Sequence, residues 1–278
     1  MVEDRIDNAL TLTNALFYSL APLYQQDGGE VQRATVPLFT LLHSTSTNIL
    51  NMVSQEMALH DADVLLRTLM EGTVRFCYLL NGTAEDRQKK YEEYRFALYD
   101  FERLSDHKKA LETLEIFDEF SIQHSKVPFE VSVLPDEILT EIESKYTKKQ
   151  KGEIKGKWTY QALLRDLAKH NEQYKAQLGT LSTYALTSHY AHFDWTGLSS
   201  RLAQLQSVAK GEDVHYDIVH CLRIISNILS FAMFRALEYI QAYGVKTQQT
   251  FQVVDGILAE TNEIDSLANK LLSSISEG

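Results

Sequence analysis

Cysteine and proline are scarce: the 278 residues include 2 Cys and 4 Pro. Two cysteines cannot build a disulfide framework in a chain this long, so a reducing, intracellular setting is the simplest expectation. With 4 Pro and only 12 Gly, a low-complexity or fibrous chain is excluded. Long apolar runs are missing too. The most hydrophobic stretch, 218–234, is interrupted by His220, Arg223 and Asn227, whereas a membrane span needs about 20 nearly uninterrupted apolar residues. It reads as a core helix. The opening MVEDRIDNAL is acidic and offers no small-residue cleavage site, so no secretory signal is visible. Basic residues are outnumbered, 27 Lys+Arg against 38 Asp+Glu, for a net charge of -11. That disfavours a broad nucleic-acid-binding surface while leaving room for a local basic groove. The expectation is a soluble, cytoplasmic protein with no membrane partner.

What is present is ample core material: 44% hydrophobic and 10% aromatic residues, enough for one large or two small domains. Helical spacing of apolar residues dominates. It predicts helices over 6–24, 31–59, 60–80 and 83–120. Gln26 to Gly29 and Asn81-Gly82 mark turns, and Thr83 to Asp86 is a capping-box-like start. The stretch 121–135, with two prolines, reads as a non-helical connection. A short helix at 136–148 precedes KKQKGEIKGK (148–157), expected as a basic, mobile loop. Further helices are expected at 160–174, 178–192, 212–243 and 250–275. No strand alternation and no repeat of 20 to 50 residues stands out. The fold class is therefore all-α: one helical bundle over 1–278, with the basic loop and the Pro-bearing connection as insertions.

The residues with chemical promise begin at ALHDADVLLRTLMEGTVRFCY (58–78), where Ala62, Leu65, Leu66 and Arg67 are followed after three residues by Glu71. Downstream stand Trp158 and YALTSHYAH, Tyr184 to His192. This order resembles the bacterial domain-of-unknown-function family 5677, over a core of 42–194. The resemblance implies an all-helical fold and no assigned activity. It leaves 195–278 as a C-terminal helical pair. There Phe231, Phe234, Leu237 and Ile240 exceed what one helix face needs and would allow a homodimer interface.

Arg67 and Glu71 lie four residues apart and so share a helix face. Three readings stand open: a solvent-exposed ion pair, a buried pair locking two helices together, or an anion-binding Arg held by Glu in a cleft that also includes Tyr184 and His192. His189 and His192, with Asp194, fall on about one helical turn, as a general-base or metal arrangement requires. Tyr190-Ala191 stands between the two histidines and Glu is absent, so the zinc-hydrolase motif is not matched, and no metal is assigned.

Arg165 and His170 form an Arg-x4-His with a polar residue after the Arg. This looks like the signature of HEPN ribonucleases, metal-independent helical enzymes that often dimerise. The resemblance implies that His170 and Arg165 would assist attack by an RNA 2′-hydroxyl and stabilise the phosphorane. Arg followed by His at any of three spacings arises about once by chance in a chain of this composition. Gly28-Gly29 and Gly152-x3-Gly156 lack dinucleotide or P-loop context, so no cofactor is assigned. Cys77 and Cys221 read as buried structural thiols. The leading expectation is thus a helical binding or interaction protein with a polar cleft. Its ligand would be RNA or a nucleotide, its partner a second copy, and its context, by resemblance alone, bacterial or phage conflict. The alternative is an HEPN-type endoribonuclease.

Overall fold

Apolar periodicity becomes helix nearly everywhere in the computed structural model, which describes residues 1–24, 28–55, 59–122, 125–192, 194–210, 215–244 and 247–276. Among the described residues all regular structure is helical, so the all-α expectation holds. Two compact units result: Met1–Gly82 with Leu164–Gly278, and Thr83–Leu163.

The larger unit begins with α1 (Val2–Ser19), α2 (Ala21–Tyr24), α3 (Gly29–Val53) and α4 (Leu59–Leu80). Gln26 and Asp27 of the expected turn, and Ala58, which opens the quoted stretch 58–78, lie outside the described residues. In the smaller unit, α5 (Ala84–Glu92), a π-helical turn (Glu93–Leu98) and α6 (Tyr99–Glu119) are followed by α7 (Val127–Glu130), α8 (Asp136–Lys145) and α9 (Lys148–Lys157). Next comes α10 (Tyr160–His170), which ends in the larger unit. That unit continues with two 3₁₀ turns, then α11 (Thr180–His192), α12 (Trp195–Ala209), α13 (His215–Tyr243) and α14 (Gln248–Ser276).

Three expectations change. The basic segment 148–157 is helix α9, because Thr147 and Gln150 form a reciprocal capping box: the Thr147 hydroxyl accepts from the Gln150 N–H at 3.2 Å, and the Gln150 side chain accepts from the Thr147 N–H at 2.9 Å. The Pro-bearing connection contains the single turn α7, and its far end is tied down where the Leu134 N–H donates to Nδ1 of buried His107 at 3.0 Å. The chain after His192 forms an additional helix, α12, started by Asp194, whose carboxylate accepts from the backbone N–H groups of Thr196 and Gly197 at 3.0 and 3.2 Å.

The core of the larger unit is built on α13, which packs against α14, α4, α1 and α3. Phe231, Phe234 and Ile240 are buried within the chain and Leu237 partly so, which means these residues do not supply the exposed dimer face expected of them. Helix α13 has the length and composition of a membrane span, yet 56% of its most apolar window is buried, as a core helix requires. Phe39, Phe76 and Tyr239 pack with ring centroids 5.4 to 6.2 Å apart. At Gly72 an added Cβ would sit 2.4 Å from Leu42 Cδ2, so glycine permits the close approach of α3 and α4.

Arg235 and Glu238 are buried ionisable side chains on α13. Arg235, 2% exposed, donates to the hydroxyls of Thr73 at 2.7 Å and Ser46 at 3.2 Å. Burial pulls its pKa down to about 10, which still leaves it charged. Glu238 accepts from the Tyr174 hydroxyl at 2.6 Å.

In the smaller unit, buried Trp158 packs on Tyr94 with centroids 5.4 Å apart, and Phe101 meets Tyr146 edge-on at 5.0 Å.

Candidate functional site

Helix α4 buries Ala62, Leu66, Leu69, Met70 and Thr73. Its remaining face turns Arg67 and Glu71 toward α11, which packs alongside. Tyr184 and His192 are eight residues apart on α11, two turns and about 12 Å of helix. Their side chains nevertheless converge on the Arg67 guanidinium, Tyr184 at Nη2 and His192 at Nη1.

The four residues form one cluster. Arg67 Nε lies 3.4 Å from Glu71 Oε1, Nη2 donates to the Tyr184 hydroxyl at 3.3 Å, and Nη1 meets His192 Nε2 at 3.4 Å. The Tyr184 hydroxyl in turn donates to Glu71 Oε1 at 2.6 Å, and the guanidinium carbon stands 5.1 Å from the Tyr184 ring centroid. Thus Tyr184 accepts from the cation and donates to the anion. Burial and the hydrogen bond to Glu71 push its phenol above the ordinary range, so it keeps the proton this arrangement needs.

Of the three readings of the Arg67–Glu71 pair, neither extreme describes it. The side chains are 23% and 32% exposed: the pair is neither fully solvated nor sealed in the core. His192 is exposed and leaves one edge of the cluster open to solvent.

His189 and Asp194 form a separate pair. His189 Nδ1 lies 2.6 Å from Asp194 Oδ2, and that contact, with the backbone donors of α12, holds the Asp194 carboxyl below its usual range. Asp194 is chiefly a helix cap that also orients His189. The two histidines therefore point to different partners, His189 to Asp194 and His192 to Arg67. Among the described residues no group of three His, Cys, Asp or Glu side chains is arranged to hold a metal ion.

Arg165 and His170 both lie exposed on α10. Five residues on a helix separate them by about 140° around the axis and about 7.5 Å along it. Cys77 is fully buried and its thiol pushed up to about 12 by that burial; Cys221, half-buried, is pushed up to about 11. Neither is a thiolate nucleophile at neutral pH.

A second polar cluster was not legible in the sequence. Buried Asp63 lies 3.0 Å from His220 Nε2 and 3.8 Å from His60 Nδ1, and the His60 ring packs on Tyr190 with centroids 4.7 Å apart. The signal available was His220 as a polar interruption of an apolar helix; its partner on α4, 157 residues away, was not. An open hollow of about 500 Å³ lies along α1, lined by Asp4, Arg5, Asn8 and Thr11. Arg5 and Asn8 tie α1 to α14 there through Glu260, at 2.9 and 2.6 Å.

The profile of a family described as "Family of unknown function (DUF5677)" matches residues 32–207. That is more than half of the chain, and it includes the 42–194 core, all of α12 except its last two residues, and every member of the Arg67 cluster. No curated protein and no solved structure matches. The chain belongs to the DUF5677 family, whose function is unknown.

Proposed function

We propose that this is a cytoplasmic binding protein that recognises a phosphate group of RNA or a nucleotide through Arg67 and His192, with Glu71 and Tyr184 holding the guanidinium in position. The observation that supports this is the arrangement around Arg67. Partners from α4 and α11 engage Nε, Nη1 and Nη2, while the Nη1 edge beside exposed His192 faces solvent. A guanidinium fixed in this way loses little side-chain freedom when it meets an oxyanion, and its planar fork suits two phosphate oxygens. The single carboxylate in the cluster offsets the buried portion of the positive charge until an anion arrives.

The test is calorimetric titration with inorganic phosphate, a nucleoside monophosphate and a short RNA. The wild type should bind at least one of them. Arg67→Ala should weaken that binding at least tenfold, and Arg67→Lys should recover only part of it, because lysine lacks the fork. Identical titrations for wild type and Arg67→Ala would refute the assignment.

The ribonuclease reading has one favourable observation, the solvent exposure of both Arg165 and His170. Cleavage of RNA by the wild type, lost in His170→Ala with the fold intact, would establish it; cleavage unchanged in that variant would remove it.

A further inference from the structure

Helix α12 presents to solvent the face a helix normally hides. Trp195 is 77% exposed, Leu198 49%, Leu202 51% and Leu205 46%. These four recur at spacings of 3, 4 and 3 residues along the helix. That is the a/d pattern of a coiled-coil seam, a stripe narrower than the face by which a helix joins a globular core. α12 packs on α11, where Gly197 lies so close that an added Cβ would sit 2.8 Å from the His189 carbonyl oxygen. That contact fixes the helix with its seam turned outward.

We infer that α12 is a self-association surface, and that the occupant of its seam is α12 of a second copy of this chain. Three observations favour that partner. The seam spacing calls for another helix, and an isologous contact supplies one with the same apolar positions. Charge agrees: α12 has one charged residue, Arg201, in a chain of net charge -11, so two copies can meet at this face without bringing acidic side chains of α12 together.

The area is also sufficient. Trp195 offers on the order of 150–200 Å² and the three leucines together roughly 250 Å². Two copies thus cover about 800–900 Å² of apolar surface, and because apolar area is about 60% of an interface, this scales to about 1,300–1,500 Å² in all, the lower range of stable interfaces. A lipid surface fits less well, because interfacial helices carry several Lys or Arg on the polar face and α12 has a single basic residue.

The experiment is sedimentation velocity of the full chain from about 1 to 100 µM, a range that brackets a micromolar dissociation constant. The wild type should pass from monomer to dimer. The Leu198→Glu, Leu202→Glu pair should weaken the dimer at least tenfold with unchanged helical circular dichroism. Trp195→Ser, at an exposed position, supplies a second weakened variant should the pair fail to fold. Because the other tryptophan, Trp158, is 3% exposed, the concentration-dependent blue shift in emission should come from Trp195. Three results would overturn the inference: a monomer at every concentration, a dimer that neither variant weakens, or a monomer that binds phosphatidylserine–phosphatidylcholine vesicles through the same side chains.

Discussion

Replacing Tyr184 by Phe removes one oxygen and leaves the ring beneath Arg67. That oxygen donates to Glu71 at 2.6 Å and accepts from Arg67 at 3.3 Å. A hydrogen bond to a charged group contributes about 1.5–3 kcal/mol. Water reaches Glu71, 32% exposed, and would replace part of it, so the expected cost is about 1.5 kcal/mol. Glu71→Gln should cost a similar amount. The two substitutions should not add, because either one removes the same charge-assisted bond; a coupling of about 1 kcal/mol is expected in the double variant. Urea denaturation of the four proteins at neutral pH measures this directly. If Tyr184→Phe stays within about 0.5 kcal/mol of wild type and adds independently to Glu71→Gln, the cluster is only a set of surface neighbours.

Several other perturbations bear on the fold. Burial first, and the nearby Arg235 charge second, lower the His43 pKa from 6.5 to about 4. The folded protein therefore binds fewer protons than the unfolded chain between these values, and stability falls as pH drops through this window, by about 1–2 kcal/mol for a ring that solvent partly screens. His43→Phe, which keeps the stacking on Phe17 at 4.2 Å, should flatten that part of the profile; an unchanged pH dependence of melting would contradict it. Arg235→Ala should cost about 3 kcal/mol or more by opening a cavity and removing the donors to the Thr73 and Ser46 hydroxyls. Arg235→Met should cost much less, since it fills the space without a buried charge; equal melting temperatures for the two variants would count against this. Gly197→Ala, with its 2.8 Å backbone clash, should destabilise by about 1–3 kcal/mol. Gly152→Ala, in open space on α9, should stabilise by about 0.5–1 kcal/mol; thermal melts of the pair should move in opposite directions.

The fold class was legible because apolar residues at helical spacing need no knowledge of their partners. The capping box at Thr83 was likewise readable from four adjacent residues, and the structure forms it. The equivalent box at Thr147 was obscured by the lysines and glycines after it, although capping is local and charge runs tolerate helix when their faces remain solvated. Phe231, Phe234 and Ile240 show the opposite difficulty. Their apolar surplus was visible, but which surface covers a helix depends on what surrounds it, and α13 is packed against α14, α4, α1 and α3. The outward apolar stripe instead falls on α12, whose heptad spacing could have been read from Trp195, Leu198, Leu202 and Leu205.

At the site, the Arg67–Glu71 spacing follows from helix geometry, and the structure brings Tyr184 and His192 to them across more than 110 residues. Local pattern alone could not set the register between α4 and α11 that decides this. His189 was separated from His192 by a cap: Asp194 satisfies the start of α12 and draws the nearer imidazole with it. The buried Arg235 had one sequence signal, a guanidinium amid FAMF and ALEYI, while its hydroxyl partners on α3 and α4 carried none.

The most direct test is nitrogen-15 NMR of the arginine side chains, with the Arg67 resonances assigned through Arg67→Lys. A guanidinium held by Glu71, Tyr184 and His192 should show slowed rotation and resolved Nη signals in the free protein, and those signals should move when RNA or inorganic phosphate is added. Rapidly averaged Nη signals that ignore both additions would contradict the account.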